Sequence, residues 1–130
     1  MGLIMEEIAM ELIHVVAVIT AKKGMRKHIL EAFHQNSSTV RQEQGCMEYI
    51  ATVDAIGAGP LQAKFGDNIF VVVEKWESMV ALKDHAASPH MAAYAQKTKD
   101  LIASRIIHVL SPTAGAQESD SSKTETDVHQ

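Results

Sequence analysis

Two imidazoles, a carboxylate and an indole fall close together in the stretch Glu74-Lys75-Trp76, His85, Ser88-Pro89-His90. Each has a use in moving protons or in enclosing a flat organic molecule. Histidine titrates near neutral pH and can relay protons. A carboxylate kept from water has a raised pKa suited to the same task. On a strand, side chains alternate between faces, so Phe70, Val72, Glu74 and Trp76 share one face and the carboxylate and indole point together. Glu74 has two readings: a proton-transfer group inside an apolar wall, if that face lies under helices, or a solvated or Lys-paired carboxylate at a strand end. His85 is read as a pocket group, against the alternative of a helix-terminal imidazole interacting with the helix dipole. His90 is read as hydrogen-bonding the turn that contains Pro89.

A second polar group stands where a core residue is expected. Asn36 shares a helical stripe with Ile29, Phe33 and Val40, and a buried amide needs partners, water or a ligand. Tyr49 shares strand parity with Met47 and Ala51, so its phenol can face the same pocket or be half-buried in the sheet. His14 and His108 are read as structural, and Cys46 as packing. His28 and His34 lie on different helix faces, which is wrong for joint metal binding. No ligand spacing among Asp84, His85 and His90 is diagnostic of a metal, and none is expected. Gly-rich phosphate loops, G-x-S-x-G elbows, paired Cys motifs and H-E-x-x-H are missing, which removes support for nucleotide cofactors and standard hydrolases.

The elements that must position these groups follow from pattern. Leu12–Ile19 is β-branched and apolar and is broken by Lys22-Lys23-Gly24, a strand. Met25–Gln44 has no Pro or Gly and an apolar stripe, a helix stopped by Gly45. Cys46–Val53 is the second strand. Residues 54–68, with Gly57, Gly59, Pro60 and Gly66, form a long connection that could cover a pocket. Ile69–Trp76 is the third strand. Ser78 caps a short helix to about Asp84, and Ser88-Pro89 starts another to about Ala103. Arg105–Leu110 is the fourth strand. The order strand, helix, strand, strand, helix, strand is that of a ferredoxin-like α+β sandwich, a four-stranded antiparallel sheet with helices on one face. The third strand is apolar on both faces, so its second face needs cover from another subunit, and a homodimer is expected.

Composition sets the outer limits. The chain has 130 residues, 46% hydrophobic and 22% charged, with a formal net charge of -4. One domain fits, over residues 12–112, with a flexible leader at 1–11 and a disordered tail at 113–130 that is polar, acidic and rich in Ser and Thr. No basic face is available for nucleic acid. A single cysteine rules out an internal disulfide. The longest apolar runs fall well short of the ~20 residues of a membrane helix, and no secretory signal layout is present. The expectation is a cytoplasmic protein with a small-molecule substrate and no nucleic-acid or membrane partner.

With these pieces together, the chain resembles the antibiotic-biosynthesis monooxygenase-like family over about residues 12–112. The resemblance is carried by His14–Phe33, by Arg41-Gln-Glu-Gln-Gly-Cys-Met-Glu-Tyr49 and by Val73-Glu-Lys-Trp-Glu-Ser-Met-Val-Ala-Leu-Lys-Asp-His-Ala-Ala-Ser-Pro-His90. It implies a dimeric α+β barrel with a pocket between helices and sheet. It further implies oxidation of a quinol or aromatic phenol by O2 with no metal, flavin or other cofactor. A pocket base would take the phenolic proton, and the electron-rich anion would reduce O2 in a water-poor cavity. His85 is then the base or relay, with Asn36 and Glu74 as its catalytic companions. Trp76, Tyr49, Phe33, Phe70 and His90 line the substrate, in a hollow beside Trp76. Haem-degrading members carry Asn, Trp and His where this chain has Ala17, His85 and Ala95, which disfavours that activity. An isomerase of a phosphorylated dione is similar at Phe33-His34-Gln35-Asn36 and at His85–His90, and Lys64 or Arg41 would serve its phosphate. A dimer that binds a small ligand without catalysis is the third alternative. The 54–68 connection departs from the compact hairpin of many members.

Overall fold

The computed structural model describes residues 11–114; most of the expected leader and of the expected tail lie outside them. The chain runs through β1 (Ile13–Ala21), α1 (Arg26–Arg41), β2 (Cys46–Thr52), a 3-10 turn at Gly59–Leu61, β3 (Ile69–Trp76), α2 (Met79–Ala86), α3 (Pro89–Thr98), a 3-10 turn at Lys99–Leu101 and β4 (Ile102–Leu110). The sheet has four strands in the order β2-β3-β1-β4, every neighbouring pair antiparallel. This is the expected ferredoxin-like α+β arrangement. Among the described residues, no helix is long and apolar enough to cross a membrane.

Alternation along β1 decides which face is the core. Ile13, Val15, Ala17, Ile19 and Ala21 are buried, and their β3 partners in register are Trp76, Glu74, Val72 and Phe70 for the first four. The helices lie on this face, and α1 contributes Ile29, Phe33 and Val40 to it. Burying each such side chain is worth about 1.5–3 kcal/mol. The opposite face is apolar too. Val16 and Val18 of β1 pair with Val73 and Val71 of β3 and with His108 and Ile106 of β4, while Ile50, Ile106 and Leu110 are largely exposed.

Several element ends differ from expectation, each for a visible reason. Helix α1 stops at Arg41 rather than Gln44, because the amides of Gln42 and Glu43 turn back onto Thr39 and Val40. Helix α3 stops at Thr98 rather than about Ala103. There the Thr98 hydroxyl bonds the Tyr94 carbonyl, and pairing of Ala21 with Ile102 draws the following residues into the sheet. Strand β1 gains Thr20 and Ala21 from the same pairing, and β4 begins at Ile102 rather than Arg105.

Two local features seat the surroundings of Trp76. Gly45 has φ +88°, and a Cβ there would lie 2.5 Å from that of Ala81; only glycine suits both the left-handed turn and the close approach of α2. The 54–68 connection is tied down by the Asp54 carboxylate, which accepts from the amides of Phe65 and Gly66, and by Arg26, which donates to the Gly66 and Ile69 carbonyls. It enters β3 at Ile69, roughly 23 Å along the strand from Trp76, so it does not roof the Trp76 end within the subunit.

Candidate functional site

Site geometry starts from the end of β3. Trp76 is fully buried, and Glu74, two residues earlier on the same face, is 8% exposed. The indole Nε1–H donates to Glu74 Oε1 at 2.9 Å. The first of the two readings of Glu74 therefore describes its setting. Burial is the main reason its carboxyl is held above the usual range, with the Trp76 N–H and His85 pulling the other way.

His85 reaches this layer from the last turn of α2. It is 5% exposed, its ring centroid 4.6 Å from that of Trp76 and 5.5 Å, edge-on, from that of Tyr49. Tyr49 stacks on Phe33 at 5.0 Å, and Phe33 meets Phe70 at 6.4 Å. Of the residues singled out from sequence, Glu74, Trp76, His85, Tyr49, Phe33 and Phe70 thus form one continuous layer. Burial, and next the charge of Glu74, pushes the Tyr49 phenol far above its ordinary pKa, so Tyr49 remains an O–H donor throughout the physiological range.

The expected hollow beside Trp76 is filled by side chains: Trp76, Phe33 and Phe70 are all 1% exposed or less. Asn36 opens instead onto a groove of about 200 Å³ between α1 and α3, shared with His90, Tyr94 and Lys97. His85 and Asn36 therefore do not converge on one open cavity. The side chain between groove and layer is Met91, in the first turn of α3. Its sulfur accepts from Asn36 Nδ2 at 3.4 Å and from the Tyr49 hydroxyl at 4.0 Å. A thioether is a weak acceptor, so two competent donors share a poor partner.

Sequence reasoning gave no role to Met91, nor to Glu43. The Glu43 carboxylate lies 3.1 Å from His85 Nδ1 by both oxygens and also bonds His90 Nε2. His90 further meets the Ser88 hydroxyl, so the expected bond to its turn forms alongside one across to the end of α1. No periodicity marks Glu43, which sits past the last helical residue and opens the Gly45 turn, its carbonyl accepting from the Cys46 amide. Among the described residues, no three His, Cys, Asp or Glu side chains are arranged to hold a metal ion. Lys64 lies on the 54–68 connection at the far end of the sheet, and Arg41 bonds Ser37; neither faces the Asn36 groove.

Comparison with known proteins agrees with this architecture. The family model for antibiotic biosynthesis monooxygenase matches residues 12–97. The chain is 34% identical over 100 residues to the "Probable quinol monooxygenase YgiN" of Escherichia coli K12, covering 75% of this chain and 95% of that one. A solved structure from Caulobacter crescentus CB15 superposes with a TM-score of 0.68 at 22% identity, covering 84% of this chain and 97% of the other. One from Mycobacterium tuberculosis gives 0.67 at 23% identity, covering 82% and 100%.

The setting of Glu74 makes stability depend on pH. Its folded-state pKa lies above the unfolded one, so the fold holds this proton more tightly than the unfolded chain does. The stabilisation is complete below the ordinary glutamate value of about 4.3 and is lost as pH rises through the raised value. Glu74→Gln keeps an oxygen for the indole and cannot ionise. Its urea midpoint is expected to exceed that of the wild type at about pH 8, with the gap closing by about pH 4; a wild type more stable than the variant at the higher pH contradicts the assignment.

Proposed function

Because the chain belongs to the antibiotic biosynthesis monooxygenase family, we propose that it is a cofactor-independent monooxygenase acting on a quinol or aromatic phenol, in a reducing, cytoplasmic compartment suited to its lone Cys46. The observation that carries this reading is the pair of donors, Asn36 Nδ2 and Tyr49 O–H, pointed at the single sulfur of Met91. An incoming phenolic oxygen that displaces the thioether receives both hydrogen bonds. Those bonds strengthen as the oxygen becomes an anion, which is the condition for lowering a barrier rather than only binding substrate.

With its oxygen there, the aromatic ring faces the layer of Phe33, Tyr49 and Trp76. His85, packed on Tyr49 and Trp76, is the base that takes the phenolic proton. The phenolate then reduces O2; one oxygen atom enters the ring and the other leaves as water. A phenol and O2 give a quinone and water, so the substrate supplies all the electrons and no external reductant is needed. Glu74, held toward its neutral form by burial, fixes the indole and stands ready as a second proton-holding group. The close packing around Trp76 keeps water from the reactive anion.

The proposal includes a second copy of the chain. The outer sheet face, with Val16, Val18, Val73, Ile50, Ile106 and Leu110, has the apolar character of a surface that a homodimer covers. Sedimentation equilibrium is expected to give twice the chain mass of 14.2 kDa, and Ile106→Glu is expected to return a single chain; a wild type that is monomeric at tens of micromolar overturns the dimer.

Oxygen consumption tests the activity. With a panel of naphthohydroquinones and phenols, uptake above the uncatalysed rate is expected. Asn36→Ala and Tyr49→Phe should each lower kcat/KM about 10- to 100-fold, as loss of one hydrogen bond to a charged oxygen does. Substrate conversion without O2 loss would point to the proton-transfer isomerase instead, and ligand binding with no turnover to the non-catalytic dimer; either outcome removes the oxygenase.

A further inference from the structure

The environment of Glu43 determines where the protons sit on the two imidazoles. A hydroxyl has one hydrogen to donate. That of Ser88 goes to the His85 carbonyl at 2.8 Å, while the same oxygen accepts from the Met91 amide at 3.3 Å. Toward His90 Nε2, 3.2 Å away, Ser88 can therefore only accept, so Nε2 of His90 carries a proton. That N–H also points at Glu43 Oε2. A carboxylate accepts and does not donate, so the nitrogen of His85 that faces it, Nδ1, carries a proton as well. In a neutral imidazole the other nitrogen is then a bare acceptor. For His85 this is Nε2, which has no hydrogen-bond partner among the described residues.

We propose that Glu43 is a positioning residue that holds His85 in the Nδ1–H tautomer and leaves Nε2 as the proton acceptor, with His90 clamping the carboxylate from the solvent side. The burial gradient suits the assignment: the His85 side chain is 6% exposed, Glu43 14% and His90 28%. The carboxylate thus sits between a base inside the aromatic layer and an imidazole at the groove that reaches water. As His85 takes a proton on Nε2 it becomes an imidazolium, and the adjoining carboxylate compensates that charge in surroundings that little water reaches. Glu43 reaches the substrate only through His85. Its contribution is the tautomer, the ring orientation and the charge balance.

The catalytic part of this inference rests on the oxygenase reading; the tautomer does not. Long-range proton–nitrogen NMR of the full chain with labelled histidine reads the tautomer directly. In the wild type, His85 is expected with Nδ1 protonated and Nε2 bare, and in Glu43→Ala with a shift toward the commoner Nε2–H form. In the oxygen assay Glu43→Ala is expected to lower kcat about 10- to 100-fold with KM changed less than about threefold. A wild-type His85 protonated on Nε2, or a Glu43→Ala protein with the His85 tautomer unchanged, overturns the proposal; the first of these requires no variant to fold. A wild type that consumes no O2 sinks the oxygenase and leaves the tautomer result standing on its own.

Discussion

Polar groups enclosed by apolar side chains must find partners without water, and this requirement organises the whole Trp76 end of the molecule. An unpaired buried donor or acceptor costs about 1–3 kcal/mol, more if charged. The structure meets the requirement by local pairing. The Trp76 N–H lies on Glu74 of the same strand face, and His85 lies on Glu43 from the end of α1. Among the described residues, no fully buried side-chain nitrogen or oxygen lacks a partner. The Glu43 contacts also fix geometry, because they join elements that packing alone would leave free to slide. Glu43 binds the α1 end to both α2 and α3, and Gly45 lets α2 approach closely enough for this to happen.

One pairing stands apart. Asn36 and Tyr49 have strong donors and share a thioether, which satisfies them poorly. Methionine is unbranched and adaptable, and it vacates a site at small conformational cost. Closed packing and a site for an aromatic ring are therefore compatible. In the absence of a ring, the Met91 sulfur lies between Asn36 of the groove and Tyr49 of the aromatic layer. A bound phenol would take its place, bringing a better acceptor and a flat surface to stack. The same layer then serves stability before binding and water exclusion after it.

Much of this was legible in the sequence where period and parity carry the signal. The alternation of β1, the shared face of Phe70, Val72, Glu74 and Trp76, the stripe of α1 and the Ser78 and Ser88 caps all follow from rules about a few neighbouring residues. Placement of His85 at the end of α2 followed in the same way, whereas Asn36, expected on the core stripe, is only half-buried and Ser37 takes the buried position. What was illegible depends on contacts between distant parts of the chain. The end of α3 is set by pairing of Ala21 with Ile102. Glu43 is three residues from Cys46 in sequence, yet its partners are 42 and 47 residues away. Met91 reads as one more apolar residue of a helix until its sulfur is seen between two donors. The open pocket expected beside Trp76 was an inference from composition of the wall, and side-chain volume, which no pattern of residue types reports, filled it.

The displacement of Met91 by a phenolic oxygen is the step on which the functional account turns, and a structure of the protein with 1-naphthol bound in the absence of O2 observes it directly. The account predicts the naphthol oxygen about 3 Å from both Asn36 Nδ2 and the Tyr49 hydroxyl, with the ring against Phe33 and the Met91 sulfur moved out of its present position. Naphthol bound elsewhere, at the 54–66 loop or on the outer sheet face, with Met91 still between the two donors, would contradict it.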